Sequence, residues 1–342
     1  MKSTSETAER ETATEAVPAA TARVLPPWAR WVLLALAAAA VLYAPFYFAP
    51  FRVFQLTLVL VYAVVLLGLN LLVGYSGQIS LGHGAFFAVG AYGTAILMRD
   101  GDIPYLLTLP IAAAVTFVLG LAFGVPALRL RGLYLALVTL SMAIFLPPLL
   151  KRFPELTGGS QGLSVEQPAS PAWTGLAEDQ WLYYVSLAVA VVAFVLVRNL
   201  LRSRAGRALL AVRENEAAAE VMGVRPSFYK TLAFAWSAML AGVGGAVSTW
   251  VIGYVAPDSF TVVLSINLLA GLVIGGLASL SGAVYGAFFV MFVSSVAQDI
   301  SGAAPGIASG LLIIAVMLIA PTGVAGLVRR LTAAARRRLA KE

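Results

Sequence analysis

The polar groups best suited to hold a small solute lie in one glycine-rich segment, residues 74–84, with the sequence GYSGQISLGHG. Its polar side chains are neutral hydroxyl, amide and imidazole groups, carried by Ser76, Gln78, Ser80 and His83. Its glycines permit backbone conformations that other residues resist, and they are Gly74, Gly77, Gly82 and Gly84. Such groups, with backbone dipoles and helix ends, can bind a small zwitterion. We therefore predict these residues as a translocation-pathway site.

Close helix packing explains the same segment equally well. Small residues let helix backbones approach each other in lipid, where backbone polar groups find no water. On this interpretation His83, the only histidine of the chain, is a hydrogen-bonded structural residue, and the sequence favours that role over a gate. The sequence leaves both interpretations of 74–84 open.

A second segment with functional side chains is SRAGRALLAVRENEAAAEVMGVRPSFYK, residues 203–230. Its composition is helical, with a charged face and an apolar face, and Gly223 followed by Pro226 predicts the end of a helix. Three interpretations remain open on the residues alone. It can be a cytosolic loop that is basic only because Lys and Arg concentrate in the cytoplasmic loops of membrane proteins. It can also be an amphipathic helix on lipid head groups, or a docking helix for a cytoplasmic partner.

Five glycines near the C-terminal end have helix-packing spacing: Gly271, Gly275, Gly276, Gly282 and Gly286. The G-x-x-x-G spacings predict close helix packing, either between two subunits or within one. A weak parallel between residues 74–93 and 275–293, each a glycine-rich turn followed by aromatic pairs, is compatible with an internal repeat.

Several classes of chemistry find no residues to support them. The chain has no cysteine and no G-x-x-x-x-G-K-[ST] phosphate loop, and its one histidine has no carboxylate nearby in sequence. We therefore predict no enzyme activity, no catalytic residue, no metal site and no cofactor bound by this chain. The net charge of +7 does not indicate nucleic-acid binding, because the positive residues are distributed along the chain as the orientation of a membrane protein requires.

The composition places the residues above on membrane helices. The chain is 60% hydrophobic and 11% charged, whereas soluble domains are about 45–50% apolar and about 25% charged. A spanning helix needs roughly 20 mostly apolar residues. We predict an all-α, polytopic bundle of about ten spans: 31–49, 53–73, 84–98, 105–125, 133–150, 181–200, 229–251, 262–279, 283–299 and 306–327. The third span is short, so it and 74–84 can instead form one broken helix.

The distribution of positive charge predicts the orientation. With the N terminus inside, nearly all of the 23 Lys and Arg residues lie on the inner side, the exceptions being Arg52, Arg99, Lys151 and Arg152. Both termini and 203–226 are then cytoplasmic, and 151–180 is an outer connection. We divide the chain into a disordered cytoplasmic tail (1–27), a transmembrane domain (28–328) and a basic cytoplasmic tail (329–342).

The stretch GRALLAVRENEAAAEVMGV resembles the coupling segment of ABC importer permeases of the branched-chain amino acid type, in particular the LivM class. Three further segments are similar to that family in the same order: 69–97, 230–245 and 254–289. The resemblance covers roughly 50–330 and favours the docking interpretation of 203–226.

The resemblance implies a function and a set of partners. The chain would be one half of a pore in a prokaryotic inner membrane, paired with a second permease of the LivH type. Two cytoplasmic ATPase subunits would supply ATP and Mg²⁺ chemistry, and an extracytoplasmic binding protein would deliver branched-chain amino acids or related small solutes. The implied ATPase-coupling residues are Arg207, Arg213, Glu214, Asn215, Glu216, Ala217, Ala218 and Gly223.

Two other functions remain compatible with the sequence. One is a stand-alone secondary transporter or channel for a small neutral solute. The predicted spans hold almost no ionisable residue, and Asp299 lies at a span edge. This scarcity argues against a proton-coupled mechanism, which needs ionisable residues within the membrane. The other is a membrane scaffold that uses 203–226 as a general docking loop.

Overall fold

The structure, a computed structural model, describes residues 27–101, 103–127, 132–300, 310 and 323–328. The predicted tails at 1–26 and 329–342, and most of the predicted tenth span at 306–327, lie outside the described residues. The contacts divide the chain into one unit of 1–41 with 329–342, and a larger unit, Leu42–Val328, which holds both candidate sites.

Helices form nearly all of the described structure, because the long apolar runs have no polar alternation that would favour strands. They are α1 (Pro27–Tyr47), α2 (Pro50–Leu69), α3 (His83–Asp100), α4 (Tyr105–Ala127), α5 (Leu133–Arg152), α6 (Pro154–Thr157), α7 (Glu178–Arg202), α8 (Arg204–Glu214), α9 (Glu216–Val221), α10 (Pro226–Ile252), α11 (Val262–Gly275) and α12 (Leu280–Ile300). A π-helix, Asn70–Tyr75, continues α2, and 3₁₀ turns lie at Gly159–Gln161 and Pro257–Phe260.

Within the described residues, five helices are long and apolar enough to cross a bilayer: Pro50–Tyr75, Tyr105–Pro126, Tyr134–Arg152, Glu178–Arg202 and Pro226–Ile252. Shorter apolar helices lie at Ala38–Tyr47, Val262–Gly275 and Leu280–Phe292. Helices therefore occupy the first nine predicted positions, but a full count of ten spans stays a prediction.

Helix α10 lies at the centre of the bundle and packs against α2, α3 and α4. Glycines make these approaches possible. A Cβ atom on Gly90 of α3 would lie closer than 3.0 Å to the backbone of Gly242 on α10, and one on Gly245 would meet the backbone of Phe87. The backbones touch directly at these crossings, as expected where lipid offers no hydrophobic drive for helix association.

The long connection between α5 and α7 is ordered by contacts with the end of α10. Its strand β1 (Leu163–Ser164) pairs antiparallel with β2 (Tyr254–Val255). Gln167 Nε2 donates to the carbonyl of Val251 at 2.7 Å, and Lys151 at the end of α5 pairs with Asp258 at 2.6 Å. The predicted outer connection therefore contains α6, a 3₁₀ turn and a short ladder.

Candidate translocation and docking site

The glycine-rich segment begins in the π-helix that continues α2. The side chain of Asn70, the first residue of the π-helix, hydrogen-bonds to the turn between α11 and α12. Asn70 Nδ2 donates to the carbonyl of Ser279 at 2.7 Å, and its Oδ1 accepts the backbone N–H of Ala278 at 2.9 Å. Ala278 has a positive φ of 53°. Gly74 lies against the same turn, since a Cβ there would meet Asn70 and Ala278 closer than 3.0 Å.

The first polar side chains of the segment bind the start of α10. Gln78 Nε2 donates to Ser76 Oγ at 2.7 Å and to the carbonyl of Lys230 at 3.1 Å. Ser76 and Gln78 are 3% and 8% exposed, so these bonds satisfy buried groups. Gly77, between them, has a φ of 72°, the left-handed conformation that glycine adopts most easily.

The second half of the segment forms a buried hydrogen-bond chain through His83. The Nδ1 and Nε2 atoms of His83 lie 3.1 Å from Ser80 Oγ and 2.6 Å from Ser237 Oγ, respectively. Ser237 Oγ in turn donates to the carbonyl of Gly68 at 2.6 Å. Because Ser237 donates its one proton to that carbonyl, it must accept from His83, which places a hydrogen on Nε2. His83 thus joins α3, α10 and α2.

Replacing Ser237 by alanine should destabilise the protein, because the buried Nε2–H group of His83 would lose its acceptor and the carbonyl of Gly68 would lose the hydroxyl donor. A buried polar group left unsatisfied costs about 1–3 kcal/mol. Thermal unfolding in detergent measures the loss. Ser141→Ala is the matched control, since Ser141 is exposed and bonds only within its own helix. Equal melting temperatures for the two variants would contradict a structural role for the chain.

Backbone groups complete the packing of the segment against α5 and α11. The N–H of Leu81 donates to Thr139 Oγ1 at 3.0 Å, and the N–H of Gly84 donates to Ser265 Oγ at 3.1 Å. A Cβ on Gly82 would lie 2.8 Å from the carbonyl oxygen of Thr139. In this conformation the predicted pathway residues make intramolecular contacts, and their role in solute binding stays a prediction.

The charged segment, residues 203–230, contains the two helices α8 and α9 before the start of α10, where its composition indicated one helix. Asn215 has an extended backbone, with φ −154° and ψ 107°, and separates α8 from α9. Its Oδ1 accepts the N–H of Ala218 at 3.0 Å, so it caps α9. Gly223, with φ 83°, follows the end of α9 as its position predicted. The packed face of the two helices consists of Gly206, Ala208, Leu209, Val212 and Ala219.

The opposite face of α9 is exposed and, apart from Glu220, uncharged. Val221 and Met222 are 86% and 83% exposed, and the neighbouring Ala217 and Ala218 are exposed as well. Large apolar side chains as exposed as Val221 and Met222 are typical of a contact surface for another protein. The polar residues Arg207, Glu214 and Asn215 are also exposed.

Two connections join α8 and α9 to the glycine-rich segment, one directly and one through Lys230. The Nη1 atom of Arg213 donates to the carbonyl of Gly74. Glu216 forms an ion pair with Lys230 at 2.7 Å, and the carbonyl of Lys230 accepts from Gln78. The last turn of α8 and the first turn of α9 are therefore each linked to residues 74–78.

The late glycines lie between α11 and α12 of the same chain. A Cβ on Gly275 would meet the backbone of Gly282 and Gly286 closer than 3.0 Å, and one on Gly286 would meet the carbonyl of Gly271. Gly276 ends α11 with a φ of 116°. The contacts are thus within one subunit, the second of the two arrangements that the sequence allowed.

Several residues of the site escaped the sequence analysis. Thr139, Ser237 and Ser265 each lie in an apolar run and hydrogen-bond to the glycine-rich segment. Asn70, in the apolar run just before that segment, hydrogen-bonds to the α11–α12 turn. A polar residue within a predicted span was the available signal, because such groups need a partner in lipid. Among the described residues, no group of three His, Asp or Glu side chains could hold a metal ion.

The family profile described as "Branched-chain amino acid transport system / permease component" matches residues 51–321. The chain is 33% identical to the high-affinity branched-chain amino acid transport system permease protein LivM of Salmonella typhimurium, over 80% of this chain and 69% of that protein. The LivM protein of Escherichia coli is 34% identical over the same shares. The LivH permease of Salmonella typhimurium is 24% identical over 78% of this chain and 91% of its own length. This chain belongs to the family of branched-chain amino acid transport system permease components.

Proposed function

We propose that this chain is a permease subunit of an ATP-driven ABC importer for branched-chain amino acids or related small neutral or zwitterionic solutes. It forms the translocation pathway with a second permease of the LivH type. An extracytoplasmic binding protein delivers the solute, and two ATPase subunits bind on the cytoplasmic side. The protein resides in the inner membrane of a prokaryote, with about ten spans and both termini inside. Family membership and the LivM and LivH relatives support this assignment.

The observation that carries the mechanism is the direct connection between the docking segment, 203–226, and the glycine-rich segment. An ATPase subunit bound to the exposed face of α9 moves α8 and α9 when it binds and hydrolyses ATP. Arg213 and the Glu216–Lys230 pair pass that movement to residues 74–78. The pathway then alternates between its two faces without chemistry in this chain.

Reconstitution in liposomes tests the proposal. The purified chain, the second permease and the ATPase subunits are combined, and uptake of labelled leucine is measured with the binding protein outside. We expect uptake only when ATP and all partners are present. Solute flux through this chain alone would overturn the proposal in favour of a secondary transporter or channel. Failure of the ATPase subunits to bind would favour a scaffold.

Charge exchange across the Glu216–Lys230 pair tests the link in that assay. Glu216→Lys and Lys230→Glu should each lower uptake several-fold, since like charges then face each other at 2.7 Å where an ion pair stood. The double variant should recover much of the loss, because the pair is restored in reverse. Losses that simply add in the double variant would show that the two residues act independently.

A further inference from the structure

The corner between α7 and α8 carries four exposed arginines: Arg198, Arg202, Arg204 and Arg207. None of them forms an ion pair with another residue that the structure describes. Arg207 Nη1 donates to the carbonyl of Arg202 at 3.3 Å, which brings the start of α8 against the end of α7. After the first turn of α7, the sequence has no acidic residue before Glu214, so no neighbour in sequence balances the charge of this arginine cluster.

The arginine cluster continues an apolar stripe along α7. Ala188, Val191, Val195, Arg198 and Arg202 are spaced by three and four residues and therefore share one face of the helix. Val191 and Val195 are 53% and 50% exposed, so the face is open to its surroundings. A helix of 25 residues is about 37 Å long, which exceeds the hydrocarbon thickness of about 30 Å. With the valines in lipid, the arginines reach the head-group layer.

The beginning of α8 adds to the positive potential. The first turn of α8 contains no acidic residue, although a helix N-terminus favours negative charge. It carries Arg204 instead, and Arg207 follows one turn later. An external anion would compensate both the helix dipole and the guanidinium groups, and arginine binds phosphate oxygens through paired N–H donors.

We propose that the arginine cluster binds the phosphate group of an anionic phospholipid, whose acyl chains lie along the apolar stripe of α7. A lipid fits better than a free anion, because the charged site and the exposed apolar face are continuous. It also fits better than another protein surface, because the stripe ends in like charges at the depth where anionic head groups lie. The bound lipid fastens the corner from which the docking segment starts.

Native mass spectrometry of the full-length protein tests this site. The detergent-purified chain is titrated with phosphatidylglycerol and, separately, with phosphatidylcholine of the same acyl composition. We expect preferential binding of phosphatidylglycerol. Arg202→Gln should weaken that binding about fivefold, since each basic residue at an anionic membrane surface contributes about that factor. Replacing all four arginines by glutamine should abolish the preference, and Arg202→Lys should retain most of it.

Arg152→Gln is the matched control, because Arg152 is likewise an exposed arginine that ends a span-length apolar helix. It should leave the preference unchanged. Equal binding of the two lipids by the unaltered protein, or equal losses in Arg202→Gln and Arg152→Gln, would overturn the proposal. Displacement of the lipid by millimolar inorganic phosphate would identify a simple anion site. If the fourfold variant does not fold, the two single variants decide.

Discussion

Replacing Arg213 by glutamine should lower ATP-driven uptake about tenfold or more, while the ATPase subunits still bind and hydrolyse ATP. The reason is that Arg213 bonds α8 to the glycine-rich segment, at the carbonyl of Gly74. A hydrogen bond with a charged partner contributes about 1.5–3 kcal/mol. If that contact transmits the movement of α8, its loss uncouples hydrolysis from transport.

The reconstituted complex measures both activities in the same sample. Arg225→Gln serves as the control, because Arg225 is an exposed arginine of the same segment and lies outside the contacts with residues 74–78 described above. Normal uptake in Arg213→Gln would show that Gly74 receives no movement through this residue. A loss of ATPase binding, measured by co-purification, would instead give Arg213 a role in docking.

Replacing Gly90 by alanine should destabilise the fold strongly, whereas the same change at Gly93 should be neutral or stabilising. A Cβ on Gly90 would meet the backbone of Gly242 on α10, and backbone cannot move aside without separating α3 from α10. Overpacking of this kind costs about 1–3 kcal/mol and can cost more. A Cβ on Gly93 meets nothing within 4 Å, so alanine there only gains helix propensity, up to about 1 kcal/mol.

The two glycines lie on the same helix three residues apart. The two variants are therefore matched in the substitution and in the helix that carries it, and they differ in what the added methyl group meets. Membrane yield and the melting temperature in detergent distinguish them. An unchanged melting temperature in Gly90→Ala would mean that α3 and α10 are not in close contact in the membrane. A melting temperature for Gly93→Ala as low as that of Gly90→Ala would mean that the outer face of Gly93 is also packed, against another subunit.

The positions of the helices could be predicted from the sequence because each apolar run is long and bounded by polar residues or glycine. The same reasoning located Gly223 after α9. The break at Asn215 was missed, although an Asn followed by a Glu is a known start signal for a helix. Composition averages over the segment, and it is the local hydrogen bond from Ala218 that decides between one helix and two.

The internal connections of the site could not be predicted. His83 and Ser237 are 154 residues apart in sequence, and Gln78 and Lys230 are 152 apart. Which hydroxyl meets which imidazole depends on how the helices cross, and sequence spacing carries no information about that. The π-helix at Asn70–Tyr75 likewise begins at a residue, Asn70, whose side chain bonds to the distant residues Ala278 and Ser279.

The ladder between β1 and β2 has a consequence for association with a soluble partner. It closes the long connection between α5 and α7 onto the end of α10, with further ties at Gln167 and at Lys151. Ordering a free loop upon binding costs conformational entropy that reduces affinity. Because this surface is already ordered in the unbound chain, a protein that binds there loses little entropy in the permease. The contact area of such a complex can then remain modest and still give enough affinity for repeated cycles of capture and release.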